Sequence, residues 1–403
     1  MNIAILHYSV PPIVGGVESV IAHHARLMSV DGRCVRLIAA RGDSLNEQVP
    51  LIRIPLADSL HERIVTMKEQ LNHGNLPQDF KMVRDELALK LQTALSGIDT
   101  LIAHNVCSLN KNLALTAALH QLHTSNQLPR LIIWHHDLAW TTPRYLPELR
   151  AGYPWDLLRT DWGRTTHVVV SELRRAELAD LMKLDPASIH VVPNGVDAAR
   201  FYKLESQTQT LLAETNLLEA APILLLPVRV TPRKNIELAL HTMAELKKQF
   251  PQAALVVTGP LGPHNEANFK YLESLTKLRS QLCLDGCVHF LAERVKSFLP
   301  DEVIADFYRI ADALLFPSRE EGFGIPLIEA AFSHLPVFCA DIHPLRELGL
   351  EDVTYFSPDE DPVSVAALIA RYFQNSHTGR LAIRARASFR WEVIYRQHIV
   401  PLL

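Results

Sequence analysis

The chain has 403 residues, too many for one ordinary hydrophobic core, so two domains are expected. Residues are 48% hydrophobic and 21% charged, a globular balance that excludes disordered and fibrous classes. The formal charge of −4 gives no reason to expect nucleic acid as a partner, leaving only the case of a local basic face. No basic, apolar leader opens the sequence, and no run approaches about 18 uninterrupted apolar residues. A cytoplasmic protein without a spanning helix is therefore expected. The five cysteines (Cys34, Cys107, Cys283, Cys287, Cys339) are odd in number and irregular in spacing, which suits a reducing compartment. Cys283 and Cys287 lack a second matching pair, and no histidine falls in a His-Glu-x-x-His pattern, so no metal site is expected.

In chain order, Ile3 to Leu6 reads as a strand, followed by a Pro/Gly loop with Gly15 and Gly16. Val17 to Met28 reads as a helix and Val35 to Ala39 as a strand, a β-loop-α-β opening that implies a parallel sheet. Residues 58–95 are polar and helical in character, with Gly74 and Pro77 as a break. Further strands are expected over Leu101 to Ala103, Leu131 to Trp134, His167 to Val170 and His190 to Val192. Helices fall over Leu113 to Leu122 and Glu172 to Met182. The second half repeats this logic without repeating the sequence. Its strands are Ile223 to Val228, Ala254 to Thr258, Val288 to Leu291, Ala313 to Phe316 and Val337 to Cys339. Helices begin at Asn235 and lie near 266–280, 302–310 and 326–333. Continuous apolar strands alternating with amphipathic helices predict an α/β protein with doubly wound sheets.

The most informative stretch runs from Pro317 to Ala330. Glu321 and Glu329 are separated by seven residues, with Gly322-Phe323-Gly324 and a helix-starting Pro326 between them. That spacing can set one carboxylate in a loop and the other on the following helix, facing one cleft. Glycines let a ligand approach the backbone, and amides at a helix start can face an anion or a hydroxyl-rich group. The run resembles the Glu-x7-Glu signature of retaining nucleotide-sugar glycosyltransferases, family 4 of the GT-B fold. Other stretches resemble the same family in the same order: Gly15-Gly16-Val17-Glu18, His136-Asp137, Ser171, Pro193-Asn194-Gly195-Val196-Asp197, Arg229 to Lys234, and Phe389-Arg390-Trp391-Glu392. The resemblance implies two Rossmann-like domains with the active site in the cleft between them. Residues 1–190 would form an acceptor-binding domain, onto which a C-terminal helix of about 386–403 packs back. Residues 191–385 would bind the nucleotide-sugar donor. Four departures stand out: Val228, Asn235, Ala292 and His334 occupy positions where the family commonly has glycine. Asn235 is expected to cap a helix in place of glycine, and His334 to accept a left-handed backbone.

Transfer from a nucleotide sugar requires neutralising the departing diphosphate and tolerating positive charge on the sugar. Arg229 offers a planar donor fork and Lys234 a compact charge across one strand-turn-helix junction. An isolated pair of this spacing would be a surface loop; the apolar strand before it and the two glutamates after it favour a phosphate clamp. By resemblance, Glu321 faces the sugar hydroxyls beside the amides of Gly322, Phe323, Gly324 and Ile325. Glu329 accepts from ribose hydroxyls, and Gly15 and Gly16 close over the diphosphate. His136 follows an apolar strand, at the sheet edge where ligands bind in open α/β folds. By resemblance it contacts the transferred sugar or positions the acceptor, with His135 the competing neighbour and His104 and Asn105 weaker candidates.

The expected catalytic set is therefore His136, Arg229, Lys234 and Glu321. The implied reaction is retaining transfer of a hexose, glucose or mannose, to an acceptor hydroxyl, without a metal or other cofactor. The acceptor class stays open among small molecules, saccharides and lipid-linked sugars, and peripheral membrane contact and oligomeric state stay open with it. Two alternatives remain: a nucleotide-sugar epimerase of the same fold and a catalytically silent nucleotide-sugar-binding protein.

Overall fold

The computed structural model describes residues 1–260, 266–295 and 298–403. It divides into two compact units: Met1–Gly195 with Trp391–Leu403, and Val196–Arg390.

The first unit carries seven strands: β1 (Asn2–Leu6), β2 (Cys34–Ala39), β3 (Leu51–Arg53), β4 (Thr100–His104), β5 (Arg130–His135), β6 (Thr165–Val169) and β7 (Ile189–Val191). They form one parallel sheet in the order 3-2-1-4-5-6-7. The second unit carries β8 (Ile223–Leu226), β9 (Ala254–Val257), β10 (Val288–Phe290), β11 (Ala313–Phe316), β12 (Val337–Ala340) and β13 (Thr354–Phe356), also all parallel, in the order 10-9-8-11-12-13. In each sheet the chain winds outward from a central strand and then returns to its other side. The reversal lies between β1 and β4 in the first unit and between β8 and β11 in the second. Open α/β sheets bind ligands outside the carboxyl ends of the strands at such reversals.

Central strands are apolar on both faces because helices cover both. Leu224, Leu225, Ala313, Leu314 and Leu315 are fully buried, and each large side chain so buried contributes about 1.5–3 kcal/mol of transfer free energy. The helix Gly16–Val30 buries Val20, Ile21, His24, Ala25, Leu27 and Met28, one stripe at helical spacing. Ser171 caps the helix Glu172–Met182 by accepting from the Arg174 amide at 3.2 Å. The polar stretch 58–95 resolves into the helices Glu62–Asn72 and Phe80–Ala94, parted at Gly74 and Pro77 as the sequence suggests.

The expected single helix over 386–403 is broken. The helix His377–Ser388 belongs to the second unit and ends at Phe389 (φ −117°, ψ 19°), whose carbonyl accepts from the Val196 amide at 2.7 Å. Pairing with that neighbouring segment takes Phe389 and Arg390 out of helical geometry. The chain then forms a short helix, Trp391–Ile394, a π-helical turn, Tyr395–Ile399, and a final 3-10 turn, all within the first unit. There the Tyr395 hydroxyl donates to Asp31 Oδ2 at 2.8 Å. Trp391 lies over Gly195, where a Cβ would come within 2.7 Å of the ring.

Candidate active site

In the second unit, the segments leaving β8 and β11 are tied together. β8 ends at Leu226 before Pro227, short of the expected Val228, because proline donates no ladder hydrogen bond. The chain then passes Arg229 and a 3-10 turn, Pro232–Lys234, before the helix Ile236–Leu246. The amide of Arg319, beyond β11, donates to the Arg233 carbonyl at 2.9 Å. Asn235 adopts φ +52°, the left-handed region that asparagine tolerates better than most residues. Its side chain does not cap the helix, contrary to expectation. Its Nδ2 instead donates to the carbonyls of Pro317 and Pro358 at 3.1 and 2.9 Å, pinning the β8 and β11 segments to each other. His334 takes φ +55°, as its position demands.

Across this junction Lys234 Nζ lies 2.5 Å from Glu321 Oε1, with both side chains 9% exposed. Each of the two buried groups offsets the desolvation cost of the other, since either alone would be costly there. One of the three ammonium donors is used on Glu321, so two remain for other acceptors. Arg229 is exposed and forms no ion pair with any described residue. The amides of Gly322, Phe323, Gly324 and Ile325 donate no hydrogen bond to a described residue, and they open the helix Ile325–Phe332. Gly324 takes φ +105°, and a Cβ there would meet Leu345 at 2.5 Å, so only glycine forms this turn without strain. Glu329, one helical turn further on, is exposed at one end and held at the other: the buried Tyr308 hydroxyl donates to its Oε2 at 2.5 Å. Burial, reinforced by that contact, pushes the Tyr308 pKa up.

The sequence reading missed Tyr308 and Gly259. Gly259 follows β9, and a Cβ on it would sit 1.8 Å from the Val228 carbonyl. Glycine at 259 therefore lets the segment after β9 approach the segment after β8 this closely. No local pattern marks such a contact between chain-distant backbones.

In the first unit, the segments leaving β1, β4 and β5 gather histidines. His7 Nδ1 donates to the His104 carbonyl at 2.7 Å, and its Nε2 lies 3.9 Å from Glu18 Oε1. The Ser9 hydroxyl donates to the same Glu18 oxygen at 2.6 Å. Glu18 folds back over Gly15, where a Cβ would lie 2.0 Å from its carboxylate, whereas Gly16 faces open space. The structure separates His135 from His136. His135 is fully buried, sharing hydrogen bonds with Ser108 at 2.6 Å and His167 at 3.0 Å, and His167 bonds Asp161 at 3.1 Å. His136 is partly exposed. Its amide donates to Asn105 Oδ1 at 2.8 Å and its Nε2 lies 3.0 Å from His104 Nδ1. Burial, reinforced by His7, pushes the His136 pKa down to about 3. The neighbouring His24 falls to about 3 by burial and by the nearby His136 and His23, and His7 to about 4 by burial. Asp137 is held by Arg174 at 3.2 Å.

Trp134 and Trp155 are core side chains, and the Trp140 and Trp162 indoles donate to the Trp155 and Leu157 carbonyls. The loop 143–154 is fastened by Arg150, which donates to the Asn72 carbonyl at 2.6 Å. Among the described residues no cluster of side chains could hold a metal ion, and no helix is long and apolar enough to cross a membrane.

Residues 14–200 match the family model described as Glycosyltransferase Family 4, and residues 207–388 match Glycosyl transferases group 1. The chain is similar to mannosylglucosylglycerate synthase of Petrotoga mobilis, 25% identical over 395 residues that cover 89% of this chain and 88% of the relative. It is also similar to D-inositol 3-phosphate glycosyltransferase of Kineococcus radiotolerans, 28% identical over 286 residues that cover 68% of this chain and 61% of the relative. Among solved structures, HepE of Anabaena in complex with UDP and glucose aligns over 100% of this chain and 99% of its own, at 20% identity and a TM-score of 0.37.

Proposed function

Because the chain belongs to glycosyltransferase family 4 and carries that family's group 1 half, we propose that it transfers a hexose from a nucleotide diphosphate sugar to an acceptor hydroxyl with retention of configuration. The observation that carries this reading is the buried Lys234–Glu321 pair at the β8/β11 reversal, beside a run of amides that donate to no described residue. Lys234 and Arg229 neutralise the departing diphosphate, so the reaction needs no metal for that task. Glu321 and the amides of Gly322, Phe323, Gly324 and Ile325 hold the sugar hydroxyls. Glu329, steadied by Tyr308, accepts from the ribose hydroxyls. Gly16, and Gly15 beside it, let the diphosphate approach the first helix. His136 meets the transferred sugar or the acceptor.

Retention follows a front-face path. The bond between the anomeric carbon and the phosphate oxygen breaks, the acceptor oxygen attacks on the same face, and its proton passes to the leaving phosphate. Fixed cations and amides aimed at the developing charges supply the rate. Glucose and mannose both fit as the sugar. The relatives' names favour a small polar acceptor over a lipid-linked one.

A thermal-shift and nucleoside-diphosphate-release screen against UDP-, GDP- and ADP-sugars, without added metal, tests the reading. One nucleotide sugar is expected to raise the melting temperature by mass action, with the shift lost in Glu321→Ala and Arg229→Ala. Silence with every donor from folded protein would sink it. Epimerised sugar without a transfer product would mark an epimerase, and a glycosyl adduct trapped on a side chain would overturn the front-face path.

A further inference from the structure

His104 and His136 stand at the carboxyl ends of adjacent parallel strands, β4 and β5. His104 Nδ1 lies 3.0 Å from His136 Nε2, and the rings stack with centroids 5.3 Å apart. One proton, and only one, occupies that contact. Its owner decides what the other His136 nitrogen presents to a substrate.

The surroundings of His104 discriminate between the two arrangements. Its ring is fully buried, stacked on Trp134 at 5.2 Å and flanked by His24 at 5.5 Å. Its Nε2 has no hydrogen-bond partner among the described residues. If His136 donates, His104 must carry its own proton on Nε2, stranding a buried N–H without an acceptor. If His104 donates from Nδ1, its Nε2 is a bare lone pair, and buried acceptors go unpaired more readily than buried N–H groups. A doubly protonated His104 is disfavoured by the same burial, which pushes its pKa well down. His7 adds a further constraint. A carbonyl can only accept, so the His7 proton is on Nδ1, and His7 turns a lone pair, not a donor, toward Glu18.

We infer that His104 is a positioning residue that fixes the tautomer of His136, so that His136 presents an Nδ1–H donor and no basic lone pair. His136 then holds an oxygen of the sugar or the acceptor and does not take the acceptor's proton. The tautomer stands on geometry alone; its consequence for substrate rests on the reading that His136 meets the sugar. The Asn105 side chain supports both, because it accepts from the amides of His136 and Asp137 and fixes the backbone that carries the ring.

Long-range nitrogen–proton NMR of ring-labelled histidine reads the tautomer directly, with the His136 signals identified by their loss in His136→Gln. The expected result is a pyrrole-type Nδ1 and a pyridine-type Nε2. The opposite pattern in the unsubstituted protein would overturn the inference. His104→Asn keeps an N–H donor toward His136 and should preserve the pattern. His104→Phe keeps the stacked ring but removes the donor, and His136 should revert to the mixture dominated by Nε2–H that a free imidazole shows. If His104→Phe does not fold, the unsubstituted protein and His104→Asn still decide the question. In steady-state transfer His104→Phe should lower kcat several-fold while His104→Asn does not. If the nucleotide-sugar screen is silent while the NMR pattern holds, the function reading fails and the tautomer assignment stands.

Discussion

The two sheet reversals share one topology and opposite electrostatics. Between β1 and β4, the His7 ring donates to the His104 carbonyl, and the His104 ring shares a single proton with the nearby His136. Between β8 and β11, Lys234 and Glu321 are full charges in contact. The winding of the chain selects the location in both cases. The chemistry comes from the side chains placed there: hydrogen-bonding rings suited to uncharged hydroxyls in one unit, a cation with spare donors suited to phosphate in the other.

Removing one member of the charged pair tests that contrast hardest. Lys234→Ala or Glu321→Ala should cost on the order of 3–5 kcal/mol of stability, because the partner charge stays buried alone. Transfer should fall by roughly 100- to 1,000-fold, as for loss of one donor at a developing charge. Denaturant titration and diphosphate release measure the two effects. The double variant Lys234→Met, Glu321→Leu should regain much of the stability and none of the activity; recovered activity would break the assignment.

Acid separates the units next. His24 and His136 titrate near 3 and His7 near 4 in the fold, against about 6.5 when unfolded. Between those limits the unfolded chain binds more protons, so stability is full above about pH 6.5 and drains as pH falls, by on the order of 1 kcal/mol per pH unit for each such histidine. The first unit concentrates these groups, with His104, His135 and His167 shifted in the same direction. The second unit has His289, pushed down to about 4 by burial. Hydrogen exchange at pH 5 should therefore show the first unit losing protection before the second; the reverse order would contradict the buried neutral network.

Tyr308→Phe sharpens the charged side. It frees Glu329 to wander and costs about 1 kcal/mol in donor binding, a several-fold rise in the donor KM with kcat nearly unchanged. A fall in kcat alone would remove Glu329 from the ribose contact. Two glycine substitutions separate ligand approach from backbone strain. Gly16→Ala should leave stability within about 1 kcal/mol, because nothing lies near its Cβ and alanine favours helices, yet weaken donor binding if the diphosphate approaches there. Gly324→Ala, at φ +105° and against Leu345, should instead lose about 1–3 kcal/mol of stability. Thermal shift with and without donor distinguishes the two.

Much of the fold was legible because buried parallel strands are short apolar runs: Ala313–Phe316 is a strand over the residues expected. The strands not expected, β3 and β13, are three-residue edges that are only partly buried, whereas β10, an edge of the same length, is fully buried and legible. The helices Pro362–Asn375 and His377–Ser388 were likewise unread, their solvated faces diluting the apolar pattern. Glu321, Gly324 and Glu329 could be read as one site because they are contiguous in sequence. Tyr308 could not, since it reaches Glu329 from a different helix, and His104 stood out only weakly because its partner lies 32 residues away. Asn235 was read for helix capping, the commoner task of that residue, whereas its side chain bridges two loops.

The short helix at Trp391–Ile394 has a consequence for synthesis. The unit that begins at Met1 is completed only when residues 391–403 have been made, since Trp391, Ile394, Tyr395, Ile399 and Leu402 fill one of its cores. The unit made from Val196 to Arg390 is uninterrupted and can close first. A nascent chain that has passed Gly195 therefore holds an unfinished apolar face until residues 391–403 arrive, and a chaperone that shields such faces has its target there in the interval.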